Sequence, residues 1–279
     1  MLKRVAAIAL GWLALSGMQQ EHVGSRIPSV ELWRLDCGDF TFTDANAFFS
    51  DTSEYRPGPR NLVGSCYLIR HHTTYMLWDT GIPAGIVAQP LQTPQIRATL
   101  RASIVDQLAR INVRPEQITV IGISHYHFDH VGQAASFPHA RLIMGPGDLA
   151  VLRGTEPGVD RASLAPWLTG GGQVTEARGD HDVFGDGSVV MLNLPGHTPG
   201  HRGLLVRLAS GPVLLSGDLY HFTEQVERRG VPPFNTSRAE TLASIDRFDR
   251  LARNLRARVI IQHEPSDVAK LPAFPESAR

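Results

Sequence analysis

The segment His125-Tyr126-His127-Phe128-Asp129-His130 puts three imidazoles and a carboxylate within six residues, directly after the apolar, β-branched run Ile118–Ser124. That run reads as a buried strand ending in a small residue. A hydrophobic core has no use for such a cluster. Imidazole nitrogens and carboxylate oxygens are, by contrast, the ligands of zinc and related divalent ions. Six consecutive residues rarely complete a metal shell, so the rest of the chain must deliver further ligands to the same place.

Three other segments fit that demand. The strand Val189–Leu194 runs into Pro195-Gly196-His197-Thr198-Pro199-Gly200-His201, the strand Val213–Leu215 into Ser216-Gly217-Asp218, and the strand Arg258–Gln262 into His263. Each candidate stands just past a strand, so the ligands converge on one edge of stacked sheets without distorting them. Asp79-Thr80-Gly81 likewise ends the strand Thr74–Trp78, and Asp79 is expected to orient a ligand histidine rather than to touch metal. His201 is expected to close a turn, and His71-His72 to form a solvated one.

Further strands are expected over 30–35, 64–70, 140–144 and 204–208. Ile96, Leu100, Ile104, Leu108 and Ile111 recur at helical spacing, and 147–153 reads as a short helix. Ser237 with Glu240 forms a capping-box pattern that opens a long helix. The Phe-rich stretch 40–60 fits either a loop over a pocket or a cover on the sheet. The Gly- and Pro-rich stretch 154–180 reads as a mobile insertion. Together these elements predict an α+β fold, with helices flanking two stacked sheets in one domain over 19–279.

Residues 1–18 read as a cleaved export signal: Lys3-Arg4, then the apolar run Val5–Leu15, then Ser16-Gly17. The product is then periplasmic or secreted. The two cysteines, Cys37 and Cys66, lack any metal-like spacing and are read as small buried hydrophobes, with a bridge open to an exported protein. The formal net charge is zero, which gives no bulk attraction to nucleic acid. No stable membrane association is expected after signal removal, and a homodimer is left open.

The H-x-H-x-D-H motif at 125–130, with His197, Asp218 and His263, resembles the metallo-β-lactamase superfamily. Within it the chain is most similar to the N-acyl-homoserine lactonases, through Asn61–Ile69, Trp78-Asp79-Thr80-Gly81, and the tract from Asp218 to Val231-Pro232-Pro233-Phe234-Asn235. The resemblance implies a four-layer αββα sandwich and two divalent ions, zinc first, with cobalt, manganese or iron also suited to these donors. By the same resemblance, His125, His127 and His197 hold one ion, Asp129, His130 and His263 the other, and Asp218 bridges them. Paired cations lower the pKa of a shared water and polarise a carbonyl. The implied reaction is therefore hydrolytic opening of a small lactone, with Asp129 passing a proton to the leaving oxygen. Related lactonases often carry a tyrosine where this chain has His221, so His221 is expected to take the donor role. Tyr220, Phe222, Phe234 and Trp167, with the 40–49 stretch, are candidates for the acyl-chain groove. Thioester hydrolysis of the glyoxalase II kind and phosphotriester hydrolysis are the rival enzyme readings. A metal-binding protein that only sequesters a ligand is the non-enzyme one, and the full set of seven ligands speaks against it.

Overall fold

Alternating side-chain burial along the strands produces two sheets that share one apolar interior. The computed structural model describes residues 29–279, so the expected export signal at 1–18 and residues 19–28 lie outside the described residues. The first sheet holds β1 (Val30–Phe42), β2 (Arg60–His71), β3 (Thr74–Trp78), β4 (Leu91–Gln92), β5 (Ile96–Thr99), β6 (Ile118–Gly122), β7 (Arg141–Met144) and β8 (Val174–Glu176), in the spatial order β4-β5-β1-β2-β3-β6-β7-β8. The second holds β9 (His181–Asp182), β10 (Val189–Asn193), β11 (Arg202–Leu208), β12 (Gly211–Leu215) and β13 (Arg258–Ile260), in the order β13-β12-β11-β10-β9. The helices are α1 (Ala45–Phe49), α2 (Ile104–Ala109), α3 (Phe128–Val131), α4 (Pro146–Arg153), α5 (Ala165–Leu168), α6 (Thr223–Arg228) and α7 (Arg238–Leu255).

Leu32, Ile69, Met76 and Trp78 of the first sheet meet Val189, Met191, Leu204 and Val206 of the second between the layers. The outer face of the first sheet packs Leu68, Leu77 and Leu142 against Leu108 of α2, Leu149 of α4 and Trp167 of α5. The outer face of the second packs Leu192, Leu205 and Leu214 against Ile245 and Phe248 of α7. The result is helix, sheet, sheet, helix, the expected αββα sandwich. Ser237 starts α7 by accepting from the Glu240 amide at 3.2 Å.

Several local expectations change. The periodic stretch 96–111 is a strand and a helix: β5 pairs antiparallel with β1, and a Ser103–Asp106 capping box starts α2 only at Ile104. The 40–60 stretch divides into the end of β1 and the short α1. The 154–180 stretch is no loose insertion, because α5 packs on the core and β8 pairs with β7. Trp167 is buried there and donates Nε1–H to the Ala140 carbonyl at 2.7 Å, so it supports the core rather than a substrate. Cys37 and Cys66 are joined as a disulfide, not separate buried thiols. His71 is no solvated turn residue: it stacks on Phe184 with centroids 4.2 Å apart and contacts Asp186.

Trp167→Ala empties a buried aromatic site and leaves the Ala140 carbonyl unpaired. It is expected to cost about 3–5 kcal/mol in guanidinium unfolding while metal content stays unchanged. A loss below about 1 kcal/mol would show that α5 is not part of the core.

Candidate metal centre

Strand termini bring the seven predicted ligands together. His125 and His127 follow β6, Asp129 and His130 lie in α3, and His197, Asp218 and His263 follow β10, β12 and β13. The chain can turn at His197 because Gly196, at φ +131°, lies directly against the Thr241 amide of α7; any Cβ there would collide with it.

The donor atoms form two groups: His125, His127, His197 and Asp218 in one, Asp129, His130 and His263 in the other. In the first, His127 Nδ1 stands 2.9 Å from His125 Nε2 and 3.1 Å from His197 Nε2, and the last two are 3.2 Å apart. In the second, His130 Nε2 and His263 Nε2 are 3.3 Å apart, and Asp129 Oδ2 lies 3.7 Å from each. Asp218 spans both. Its Oδ1 is 3.1 Å from His130 Nε2 and 3.0 Å from His263 Nε2, and its Oδ2 is 3.6 Å from His125 Nε2 and 3.5 Å from His197 Nε2.

This donor set fits two cations. The outward nitrogens of His197, His130 and His263 donate to Asn235 Oδ1, Asp79 Oδ2 and the Val63 carbonyl, at 2.9, 2.9 and 2.8 Å, so each ring, when neutral, turns a bare Nε2 inward. Lone pairs this close repel unless positive charge lies between them. Burial, reinforced by the neighbouring imidazoles, holds His125 well below the usual histidine range, and burial lowers His127 and His197 as well, which favours the neutral form a metal needs. Burial also acts downward on His130 and His263, but Asp218 and Asp129 outweigh it and raise both. Burial would raise Asp218, yet His130, His263 and His125 together hold it well below the usual carboxylate range. Asp218 Oδ1 is nonetheless buried without a hydrogen-bond partner. The clustering of donor atoms and the unpartnered Asp218 Oδ1 both fit cations at this spot.

A further layer holds the ligands in place. Asp79, at φ +57°, accepts from the Ser124 amide at 2.7 Å and from Gln262 Nε2 at 2.9 Å as well as from His130, the orienting role expected for it. Asn235 is itself tied to Thr241 Oγ1 at 3.0 Å. His201 does more than close a turn. It donates from Nδ1 to the Leu194 carbonyl at 2.8 Å and accepts the Asp218 amide at Nε2, 2.9 Å away; burial lowers it to about 4 and keeps that acceptor free. Asp148, in the first turn of α4, escapes sequence reasoning. It accepts from the Tyr126 amide at 3.1 Å, Thr198 Oγ1 at 2.9 Å and the Gly200 amide at 2.6 Å, and so ties the 125–130 loop to the His197 loop. Burial raises its carboxyl to about 7 against the pull of those donors.

A Metallo-beta-lactamase superfamily model matches residues 59–263. The chain belongs to this superfamily. N-acyl homoserine lactonase AttM of Agrobacterium fabrum is 29% identical to it over 188 residues, 62% of this chain and 68% of that protein. A solved N-acyl homoserine lactone hydrolase, with the product N-hexanoyl-L-homoserine at its catalytic metal center, shares the fold with a TM-score of 0.75 and 24% identity, over 90% of this chain and 99% of that one. AidC, a dizinc quorum-quenching lactonase, shares it with a TM-score of 0.68 and 16% identity, over 90% of each chain.

In this superfamily member a cleft of about 220 Å³ opens onto the two ligand groups. His127, Asp129, Asp218, His221 and His263 line its polar end, and Phe40, Phe42, Phe48, Phe49, Leu62, Ile96, Phe128 and Phe234 its apolar wall. Phe234 and the 40–49 aromatics thus lie where the sequence suggested. Tyr220 and Phe222 do not. Tyr220 turns toward α7 and donates to Asp249 Oδ1 at 3.0 Å; Phe222 is buried behind the wall against Phe49 and Tyr55. Extended backbone at Tyr220 and Phe222 makes successive side chains alternate, so His221 reaches the cleft and its two neighbours do not.

Asp148→Asn would keep one accepting oxygen but set an NH2 group against the donor or donors at the other position. It is expected to weaken metal binding about 10–100-fold, read by competition with a chromogenic chelator. Unchanged affinity would mean that the two loops hold their positions without it.

Proposed function

We propose that this chain is a metal-dependent hydrolase that opens the ring of N-acyl homoserine lactones. The observation that carries the reading is the cleft: a compact polar end at the two ligand groups, continuous with a wall of phenylalanines. That shape suits a small polar head with an apolar tail. The named relatives, with their lactone substrates and products, support the same choice.

His125, His127 and His197 would hold one cation, Asp129, His130 and His263 the second, and Asp218 both. The nitrogen and oxygen donors suit zinc, and the dizinc neighbour supports that metal. When bound, two such cations supply Lewis acidity toward a carbonyl and lower the pKa of a water. The chain's own groups do the rest. Asp129, at the polar end of the cleft, takes a proton from the attacking water at its carboxylate and returns it to the ring oxygen as the new C–O bond replaces the ester bond. His221 Nε2 lies 3.2 Å from Asp218 Oδ2 and faces the same end; because Nδ1 donates to Gln225 Oε1, it is the ring with both nitrogens protonated that donates from Nε2 to a substrate oxygen. Gln225 fixes that ring: its Oε1 accepts from the His221 amide at 2.8 Å and lies 3.2 Å from Nδ1, while its Nε2 is anchored on the Gly230 carbonyl at 2.9 Å. The phenylalanine wall excludes water and receives the acyl chain. We place this activity outside the cytoplasm; the signal-like residues 1–18 and the Cys37–Cys66 bridge support that placement.

A turnover panel of short- and long-chain acyl homoserine lactones, a glutathione thioester, a cephalosporin and paraoxon tests the reading. Lactones are expected to be cleaved fastest, with activity lost in chelator. Faster thioester cleavage would overturn it. His221→Phe is expected to lower kcat about 100-fold with metal content unchanged. Full retention of kcat and KM would remove His221 from the reaction.

A further inference from the structure

The β1–β2 ladder carries one irregularity. Asp36 pairs with Ser65 and Gly38 with Gly64, which leaves Cys37 without a partner. Such a bulge adds one residue to its strand and reverses the side-chain alternation beyond it. Leu32, before the bulge, faces the second sheet. In a regular strand Phe40 and Phe42 would share that face. With the extra residue, Phe40 lies opposite Leu62 in place of Asn61, on the β2 face that carries Cys66, and Phe40 and Phe42 both line the cleft.

The bulge is clamped on several sides. Cys37 is bonded to Cys66. Gln107 grips the preceding residue with both ends of its amide, accepting from the Asp36 amide at 2.8 Å and donating to the Asp36 carbonyl at 2.7 Å. The Cys37 carbonyl accepts from the Ile82 amide at 3.5 Å. There is no slack opposite: a Cβ at Gly64 would stand 2.8 Å from the Cys37 carbonyl oxygen.

We propose that the Cys37–Cys66 disulfide is a positioning element for substrate: it holds the bulge that turns Phe40 and Phe42 into the cleft, and so sets which acyl-chain lengths bind. The inference rests on the lactone reading above and extends it from the reacting ring to the chain. A strand free to lose its bulge would carry both rings toward the sheet interior and shorten the apolar wall. Butanoyl substrates, which end near the polar groups, would notice little; decanoyl substrates would lose contact along several methylenes.

The test compares the metal-loaded parent with the Cys37→Ala/Cys66→Ala double variant and, separately, Gln107→Leu, which leaves the cysteines bonded. KM for the decanoyl lactone is expected to rise about tenfold in the double variant, and in the same direction in Gln107→Leu. The butanoyl kcat is expected to stay within about twofold, with metal content unchanged. Equal losses for both chain lengths, or a lower Tm with the KM ratio intact, would overturn the proposal and leave the bridge a simple staple. If the double variant does not fold, Cys37→Val/Cys66→Ala, closer in volume to the bonded pair, takes its place in the same KM comparison. Calorimetric affinities for N-decanoyl- and N-butanoyl-homoserine separate this result from the functional reading. A parent that turns over no lactone refutes the reading, and its ratio of long- to short-chain affinity, with and without the bridge, still decides the role of Cys37–Cys66.

Discussion

Everything in the centre answers to one buried carboxylate. Asp218 lies among the ring nitrogens of His125, His130, His197, His221 and His263, all within 3.6 Å of its oxygens. Burying a charge is costly unless opposite charge and hydrogen bonds compensate. The imidazoles do so in part, but their inward nitrogens crowd one another, and Asp218 Oδ1 has no well-directed hydrogen-bond partner. Two cations, one in each ligand group, would resolve both problems at once: they would separate the lone pairs and neutralise the carboxylates. The protein's task is then to keep seven ligands from relaxing into a cheaper arrangement.

Rigid backbone does that work. The outward ring nitrogen is fixed by the Val63 carbonyl for His263, by Asp79 for His130 and by Asn235 for His197. Gln262 joins the layers: its Oε1 accepts from Trp78 Nε1 at 2.8 Å and from the Gly217 amide at 3.1 Å, while its Nε2 donates to Asp79. A single buried amide thus ties the end of β3 in the first sheet to the Asp218 turn and the β13 end of the second. Displacement of either sheet would be felt at both ligand groups, which is why the sandwich and the centre behave as one object.

The legible part of this design is the part written locally. Three histidines and an aspartate in six residues after a strand announce metal, and His197, Asp218 and His263 repeat the strand-end placement. The orienting groups are harder to see, because their partners are remote: Asp148 is 52 residues from Gly200 and Gln262 is 183 from Asp79. Nothing in their own neighbourhoods separates them from ordinary polar residues. Aromatic residues misled for a related reason. Trp167, Tyr220 and Phe222 sit near Gly-rich or ligand-bearing segments, yet a large ring stabilises most when fully enclosed, and all three are. The spacing of Ile96, Leu100 and Ile104 fits a helix, but the edge of β1 offers Ile96–Thr99 a ladder, and Ser103 caps the helix later. Tertiary pairing prevailed over period.

The two ends of the cleft are held by different kinds of force. At the polar end, directional hydrogen bonds to backbone and buried amides fix each atom, and a small displacement costs both metal and chemistry. At the apolar end, Phe42 meets Phe48 and Phe49 edge-on, with centroids 5.0 and 4.9 Å apart, on an α1 only five residues long. Contacts of that kind are non-directional and scale with area, about 0.8 kcal/mol per buried methylene. On the lactone reading, substitutions at Phe42 and in α1 would shift chain-length preference in small increments. On the lactone reading, the chemistry would be set at the strand ends that carry the ligands, and chain-length choice at the tip of β1 and the single turn of α1.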